Sequence, residues 1–427
     1  MRKSVLTRTD VAAHTPADRD RFLDVIRLGS LLVVIVGHCL MLTVSVSGST
    51  VRFGNALTDF PLLQALTWVL QVLPLFFFAG VAAGTLGWHD DTRWGTWVFR
   101  RTQRLMRPLG VYLIAAFVLV EAAVAVLGTA WRRPLAVTSV QLLWFLGMYL
   151  LVLVAVPPLI RWVRSGLRVW ATIAVLVGVV AAVDAARLTG APAELGYVNV
   201  VAWLIPGVLG IAYVRGLLTR SAAVAVAVVV AAIDVALVAF GPYEVALVTV
   251  PGQRLSNMAP PSLLLAGHAI VLCCLAVAVA PWVRAFARRP RVWFAVVVGN
   301  TGAMTLYLWH MPALLTVLVV AHLLDGDRSG PAQSGFWTLT VAQLVAVGVL
   351  TLVLFTRLRV VENTPVRGWD APAQASSRAR SGVAVVGVAV AAAALFGATR
   401  NGLVDGFAWL VVFVGALGVA RWATWVD

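Results

Sequence analysis

His38 lies near the middle of a long apolar run, and Arg27 stands eleven residues before it at the run's charged border. On a helix, eleven residues turn through about 1100°, within roughly 20° of three full turns, and rise about 16 Å. The spacing therefore predicts one helix face carrying a permanent cation at its charged border and a titratable imidazole deeper in. An ionisable side chain at membrane depth is costly and marks a functional site by default. Neutral imidazole is a competent base near pH 7. The pattern calls for chemistry at His38 on a substrate with an anionic handle held near Arg27. Asp24 lies three residues before Arg27 and is placed to pair with it.

A second cationic cluster runs Arg100-Arg101-Thr102-Gln103-Arg104-Leu105-Met106-Arg107-Pro108. Arg101, Arg104 and Arg107 recur every three residues and predict a ridge on a helix. Planar guanidinium forks suit bidentate binding of phosphate, so Arg101 and Arg104 are expected to hold a phosphorylated ligand. A third stretch runs from Gly299 to Pro312 and contains His310, a second deep histidine. Asn300 and Thr305 in that stretch carry polar atoms that need partners if buried. No proton-transfer role for His310 follows from the sequence, and asparagine in its place is expected to be milder than loss of His38. Glu362, in Val361-Glu362-Asn363-Thr364-Pro365, places a carboxylate at the end of the tenth apolar run, in a supporting position with Asp24 and His310. Glu121, Asp184 and Asp234 are further acids within or at the edges of apolar runs.

The elements that must position these residues are set by composition. The chain is 61% hydrophobic and 12% charged, with a mean hydropathy of +0.93. Twelve apolar runs read as transmembrane helices, among them 28–47, 293–320, 337–356, 382–398 and 404–420. The runs are continuous rather than alternating, which excludes a β-barrel. The expected fold is an all-α integral membrane bundle of ten core helices with a C-terminal helical hairpin. Its parts are a cytoplasmic N-terminal tail (1–20), a core (21–370), and a linker with the hairpin (371–427), the polar segment 370–381 reading as the linker. With both termini cytoplasmic, 26 of the 33 Lys and Arg residues fall on the inner side and 7 on the outer, a strong positive-inside bias for a multi-pass protein of the cell membrane. The net charge of +15 then reflects topology and attraction to the anionic lipid bilayer, not nucleic-acid binding. The first 26 residues are too polar and too long for a signal-peptide n-region, so the first span is expected to be retained. Cys39, Cys273 and Cys274 all lie in apolar runs and imply neither a disulfide framework nor a metal site.

In their order, these motifs resemble the integral membrane acyltransferase 3 family. The matching pieces are Leu23-Asp24-x-x-Arg27 with ten residues before His38; Leu75-Phe76-Phe77-Phe78-x-Gly80; Arg101-x-x-Arg104-Leu105-x-x-Pro108; Leu143-Trp144-Phe145-Leu146 running to Pro157; Leu306-Tyr307-Leu308-Trp309-His310; and Glu362 with Pro365. They cover residues 21–370. The resemblance implies transfer of an acyl group, often acetyl, from acyl-CoA to a hydroxyl of a carbohydrate, lipid or other small-molecule acceptor, as in O-acetylation. It also implies an essential role for His38, a paired role for Arg27, and donor binding by Arg101 and Arg104. The piece after Phe76 departs from the family's common Ser-Gly pair, reading Phe78-Ala79-Gly80. A twelve-span secondary transporter is the rival class: Gly87 to Gly95 faintly resembles a transporter loop motif, but the loop around Arg284–Arg291 has no counterpart. The outer loop 241–261 ends in Pro260-Pro261, which serves as the start of the next helix or as part of an acceptor site.

Overall fold

A computed structural model describes residues 7–47, 50–253, 255–328, 330 and 333–426. Residues 1–6 of the tail and Arg254, one of the outer arginines in the charge count, lie outside the described residues. Among the described residues eleven helical stretches are long and apolar enough to cross a membrane. With the shorter helix Phe407–Ala423 they correspond one for one to the twelve apolar runs. At 17 residues that last helix is about 26 Å long, a little short of a hydrocarbon core of about 30 Å. The protein is an all-α multi-pass membrane protein.

Three boundaries differ from the sequence reading, each for a local reason. The run 28–47 is not one helix: the first long helix spans Arg21–Met41, and Leu42–Ser47 forms a strand. That strand pairs antiparallel with Thr50–Asn55, Leu42 opposite Asn55 and Ser47 opposite Thr50. Thr43-Val44-Ser45-Val46-Ser47 is apolar enough to extend a hydropathy run, yet its β-branched residues and serines favour a strand over helix continuation. His38 therefore sits in the last turn of its helix rather than at the middle of a span. The run 293–320 is also broken, into helices Pro290–Asn300 and Ala303–Leu323. Asn300-Thr301-Gly302 supplies three poor helix formers in succession. Finally, the arginine cluster belongs to a helix of 34 residues, Trp94–Leu127. Its length of about 51 Å exceeds any bilayer core, so only the apolar part near 109–128 is needed to span.

The chain divides into two compact units. The first comprises Met1–Val34, Ala65–Gly87 and Leu159–Ala303. Within it, helices Leu73–Leu86 and Leu204–Val214 lie close enough that a Cβ on Gly210 would come within 2.6 Å of the Phe78 carbonyl oxygen. Phe22, Phe78 and Tyr213 meet edge to face and tilted, with centroids 5.4 to 6.4 Å apart. The Tyr213 hydroxyl donates to Asp20 at 2.5 Å and Arg284 Nε to Asp20 at 3.2 Å, fixing the chain just before the first long helix. Elsewhere in this unit, buried Asp184 accepts from Asn199 Nδ2 (2.8 Å), Tyr243 Oη (3.1 Å) and the Leu263 amide (2.8 Å). Asn257 donates to the Glu244 and Ala246 carbonyls, so the loop 241–261 is tied down by side chains. Helix Leu263–Ala287 starts after the proline pair, with Ser262 as its N-cap.

The second unit comprises Ile35–Gln64, Trp88–Pro158 and Met304–Asp427. The polar segment that reads as a linker is bound along the arginine helix. Gln103 Nε2 donates to the Trp369 and Ala371 carbonyls, Arg100 Nε to Ala373 O, and Arg93 Nη1 to Ala375 O. Gly95 N donates to Ser381 Oγ at 2.8 Å, and a Cβ at Gly95 would lie 2.2 Å from the Ser381 carbonyl oxygen. Only glycine fits there, because the start of helix Arg378–Asp405 packs backbone to backbone on the arginine helix.

Candidate active site

The two histidines meet in the second unit. His38 Nδ1 and His310 Nε2 are 3.1 Å apart, and the rings meet edge to edge, their centroids 5.3 Å apart and their planes 10° from parallel. His310 is fully buried, and its Nδ1 lies 3.1 Å from the Leu306 carbonyl oxygen one turn earlier in its own helix. A carbonyl only accepts, so His310 Nδ1 carries the hydrogen. In the neutral ring Nε2 is then an acceptor, and the bond to it must be donated by His38 Nδ1–H. This leaves the lone pair of His38 on Nε2. His38 is half-buried, and Nε2 makes no hydrogen bond among the described residues. The tautomer that the relay selects is the one a general base requires.

The nearer end of each helix that carries these rings is held by charge of the favourable sign. Glu362, in the last turn of helix Phe336–Asn363, accepts from the Thr305 amide (2.8 Å), the Thr305 hydroxyl (2.8 Å) and the Met304 amide (3.3 Å). It satisfies orphan amides at the N-terminus of the His310 helix, where a carboxylate also complements the helix dipole. At the C-terminus of the His38 helix stands Arg328. It is 2% exposed, and Nη2 donates to the carbonyls of Cys39 (3.2 Å), Leu40 (3.1 Å) and Leu42. Burial pushes its guanidinium down to about 10, which still leaves it protonated at neutral pH.

Arg27 lies in the first unit, on the same uninterrupted helix as His38. Its Nε donates to Asn300 Oδ1 at 2.8 Å, and Asn300 Nδ2 donates to the carbonyls of Asp24 (3.0 Å) and Val296 (2.9 Å). The expected i, i+3 pair with Asp24 forms, but it is the weaker of two. Asp24 takes a bidentate contact from Arg19 at 2.8 and 3.0 Å, while Arg27 Nη2 stays 3.9 Å away. Arg19 reaches back from the preceding turn and presents its fork squarely, whereas an i, i+3 partner does not. The Arg27 side chain is 34% exposed and borders a cavity of about 620 Å³ whose walls include Asp10, His14, Arg19, Trp293 and Asn300.

The arginine cluster splits into two faces. Arg107 Nη2 meets Asp370 at 2.5 Å and Nη1 donates to the Glu362 carbonyl at 2.8 Å. With Arg100 and Gln103 it forms the face that binds segment 369–375, so Arg107 does not continue the ridge predicted with Arg101 and Arg104. Arg101 instead stacks on buried Trp97, its guanidinium carbon 3.7 Å from the ring centroid. Trp97, Arg101 and Arg104 follow at i, i+4 and i+7, one helix face, and Arg104 is exposed.

The model of the acyltransferase domain, acyltransferase 3, matches residues 20–357. That is most of the chain. The protein belongs to the acyltransferase 3 family. No curated protein and no solved structure matches it. Membership makes it a membrane-embedded acyltransferase, acting on an acyl donor and a hydroxyl acceptor, and the transporter reading is not favoured. Arg27, His38, Arg101, Arg104 and His310 all fall inside the acyltransferase match, as does Arg328, while Glu362 lies just beyond it.

Two residues of this site escape sequence reasoning. Arg328 counts there only as one outer-loop arginine, and Gln343, whose Nε2 donates to the Cys39 carbonyl at 2.9 Å, is one polar residue in an apolar run. The available signal was the cost of leaving them unpaired: a glutamine inside a span must find a partner.

Proposed function

We propose that this acyltransferase moves a short acyl group, acetyl being the reference case, from acyl-CoA to a hydroxyl of a carbohydrate, lipid or related acceptor. The observation that carries the reading is the Leu306 O, His310, His38 relay, which leaves the Nε2 lone pair of a half-buried imidazole without a hydrogen-bond partner among the described residues. His38 Nε2 takes the acceptor's hydroxyl proton as its oxygen bonds to the thioester carbonyl carbon. The tetrahedral intermediate collapses with cleavage of the carbon–sulfur bond. The departing thiolate takes the proton from the imidazolium, giving the ester, free CoA and neutral His38. Atoms and charge balance without a metal or a redox partner.

Arg27 is assigned to the donor rather than to the oxyanion. Eleven residues of helix separate it from His38, about 16 Å, far beyond hydrogen-bond reach of an oxyanion formed there. It is suited to a fixed anionic group of the donor, and its Nε anchor on Asn300 orients the rest of the fork. Arg101 and Arg104 are assigned to donor phosphates, with Trp97 holding the Arg101 guanidinium flat. The positive-inside count supports a cell-membrane protein with both termini cytoplasmic, the side from which acyl-CoA arrives.

The test is purified protein with acetyl-CoA and a panel of hydroxyl acceptors, read by release of free CoA. His38→Ala is expected to lose about 10²–10⁴-fold in turnover while remaining folded. Transfer at the wild-type rate by folded His38→Ala protein would overturn the mechanism.

A further inference from the structure

Arg328 is a buried cation with no carboxylate paired to it among the described residues, and such a charge is costly unless something else balances it. What balances it is the C-terminus of the first long helix. The last four carbonyls of a helix have no intrahelical donor, and a helix C-terminus carries roughly half a negative charge. Where many helices close with a glycine, this one runs directly into the strand at Leu42. Arg328 Nη2 takes the place of the missing cap, reaching Cys39 O, Leu40 O and Leu42 O at once. Gln343 adds a second donor to Cys39 O.

The guanidinium is itself fixed. Nη1 donates to Thr340 Oγ1 at 3.0 Å, and that hydroxyl donates onward to Phe336 O. The guanidinium carbon stands 5.0 Å from the Phe336 ring centroid. The Arg328 carbonyl in turn accepts from Val44 N at 3.1 Å, tying it to the strand that follows the helix. The first carbonyl it caps belongs to the residue next to His38. Rotation or fraying of this last turn would move the imidazole directly, and a hydrogen bond of 3.1 Å to His310 tolerates little such motion.

We propose that Arg328 is a positioning residue for His38: it locks the final turn of the helix so that Nδ1 meets His310 and Nε2 faces the substrate. This rests on the reading of His38 as the general base. It assigns Arg328 no contact with either substrate, so it predicts a loss in turnover rather than in donor binding.

The experiment measures kcat, the KM for acetyl-CoA and thermal unfolding for Arg328→Gln, Arg328→Lys and Thr340→Val, the first two also in a His310→Ala background. Arg328→Gln is expected to lower kcat about 10- to 100-fold with KM changed less than about twofold. Arg328→Lys should recover part of that, since it keeps the charge and the donors at the helix end but loses the second arm of the fork, the Nη1 contact to Thr340 Oγ1 that fixes it. In His310→Ala protein the further loss from Arg328→Gln should shrink to less than about threefold, because the geometry it serves is already gone. Independent, multiplying losses would reduce Arg328 to a stability element and overturn the proposal, as would an unchanged kcat in folded Arg328→Gln. If Arg328→Gln does not fold, Thr340→Val decides: it frees only Nη1, and kcat should fall about threefold or more at constant KM, whereas an unchanged kcat overturns the proposal. Full activity in His38→Ala protein would instead indict the general-base reading, an outcome separable from normal activity in Arg328→Gln beside a dead His38→Ala.

Discussion

Replacement of His310 by glutamine and by asparagine separates a catalytic relay from ordinary packing. The amide of glutamine reaches about where imidazole Nε2 stands, and the amide of asparagine about where Nδ1 stands. His310→Gln therefore keeps an acceptor for His38 Nδ1–H and gives up the contact to Leu306 O. His310→Asn does the reverse and strands His38. If His310 contributes only one buried hydrogen bond, each variant loses about 0.5–1.5 kcal/mol, no more than about tenfold in rate. If it selects the tautomer of the base, His310→Asn should approach the loss of an acid–base group, about 10²–10⁴-fold, while His310→Gln stays within about tenfold of wild type. The assay is initial-rate CoA release at saturating acetyl-CoA, on protein whose thermal unfolding matches wild type. Folded His310→Asn that turns over as fast as His310→Gln would refute the relay. The mild effect expected for asparagine from sequence alone is thus replaced by a severe one, because the structure supplies a bond to His38 that the sequence does not reveal.

Other outcomes follow from the same geometry. Arg101→Ala and Arg104→Ala should each raise the KM for acetyl-CoA with little change in unfolding temperature, and lysine should rescue only in part; normal donor affinity in both alanine variants would leave the cluster a topology signal. Arg107→Ala should instead destabilise the protein by about 1.5–3 kcal/mol without a selective effect on KM, since its bonds go to Asp370 and the Glu362 carbonyl; thermal unfolding checks it. Reporter fusions after Arg400 should report the outer side and fusions after Asp427 the inner side, and either reversal would break the twelve-span topology.

The fold was legible because hydropathy runs of membrane length admit few readings, and all twelve have a helical counterpart. The errors fall where hydropathy is blind to conformation. Thr43 to Ser47 is as apolar as a helix end but pairs as a strand, and Asn300-Thr301-Gly302 interrupts a run whose average stays apolar. Helical spacing did identify the face shared by Arg27 and His38, because 3.6 residues per turn is a property of the chain itself. It also placed Arg27 beside Asp24, at 3.9 Å, but gave no sign of the closer partner, Arg19, which approaches from outside the helix.

The site itself was half legible, and the missing half has one character. Arg27, His38, Arg101 and Arg104 announce themselves by charge and spacing within single segments. The residues that hold the first long helix and its side chains act across more than 250 positions: Asn300 on Arg27, His310 on His38, Arg328 and Gln343 on Cys39. No periodicity links such partners. What the sequence does contain is a set of polar groups that burial would penalise, and four of them, Asn300, His310, Arg328 and Gln343, meet a donor or acceptor on or beside Arg27 and His38. Glu362 and Arg328 make the point most sharply. They are opposite charges on opposite kinds of helix terminus, a carboxylate at the N-terminus that leads to His310 and a guanidinium at the C-terminus that ends on His38. Either sign reversed would repel the helix end it now holds. Charge at these two positions therefore holds two helix ends, a role that a count of charges by membrane side does not distinguish.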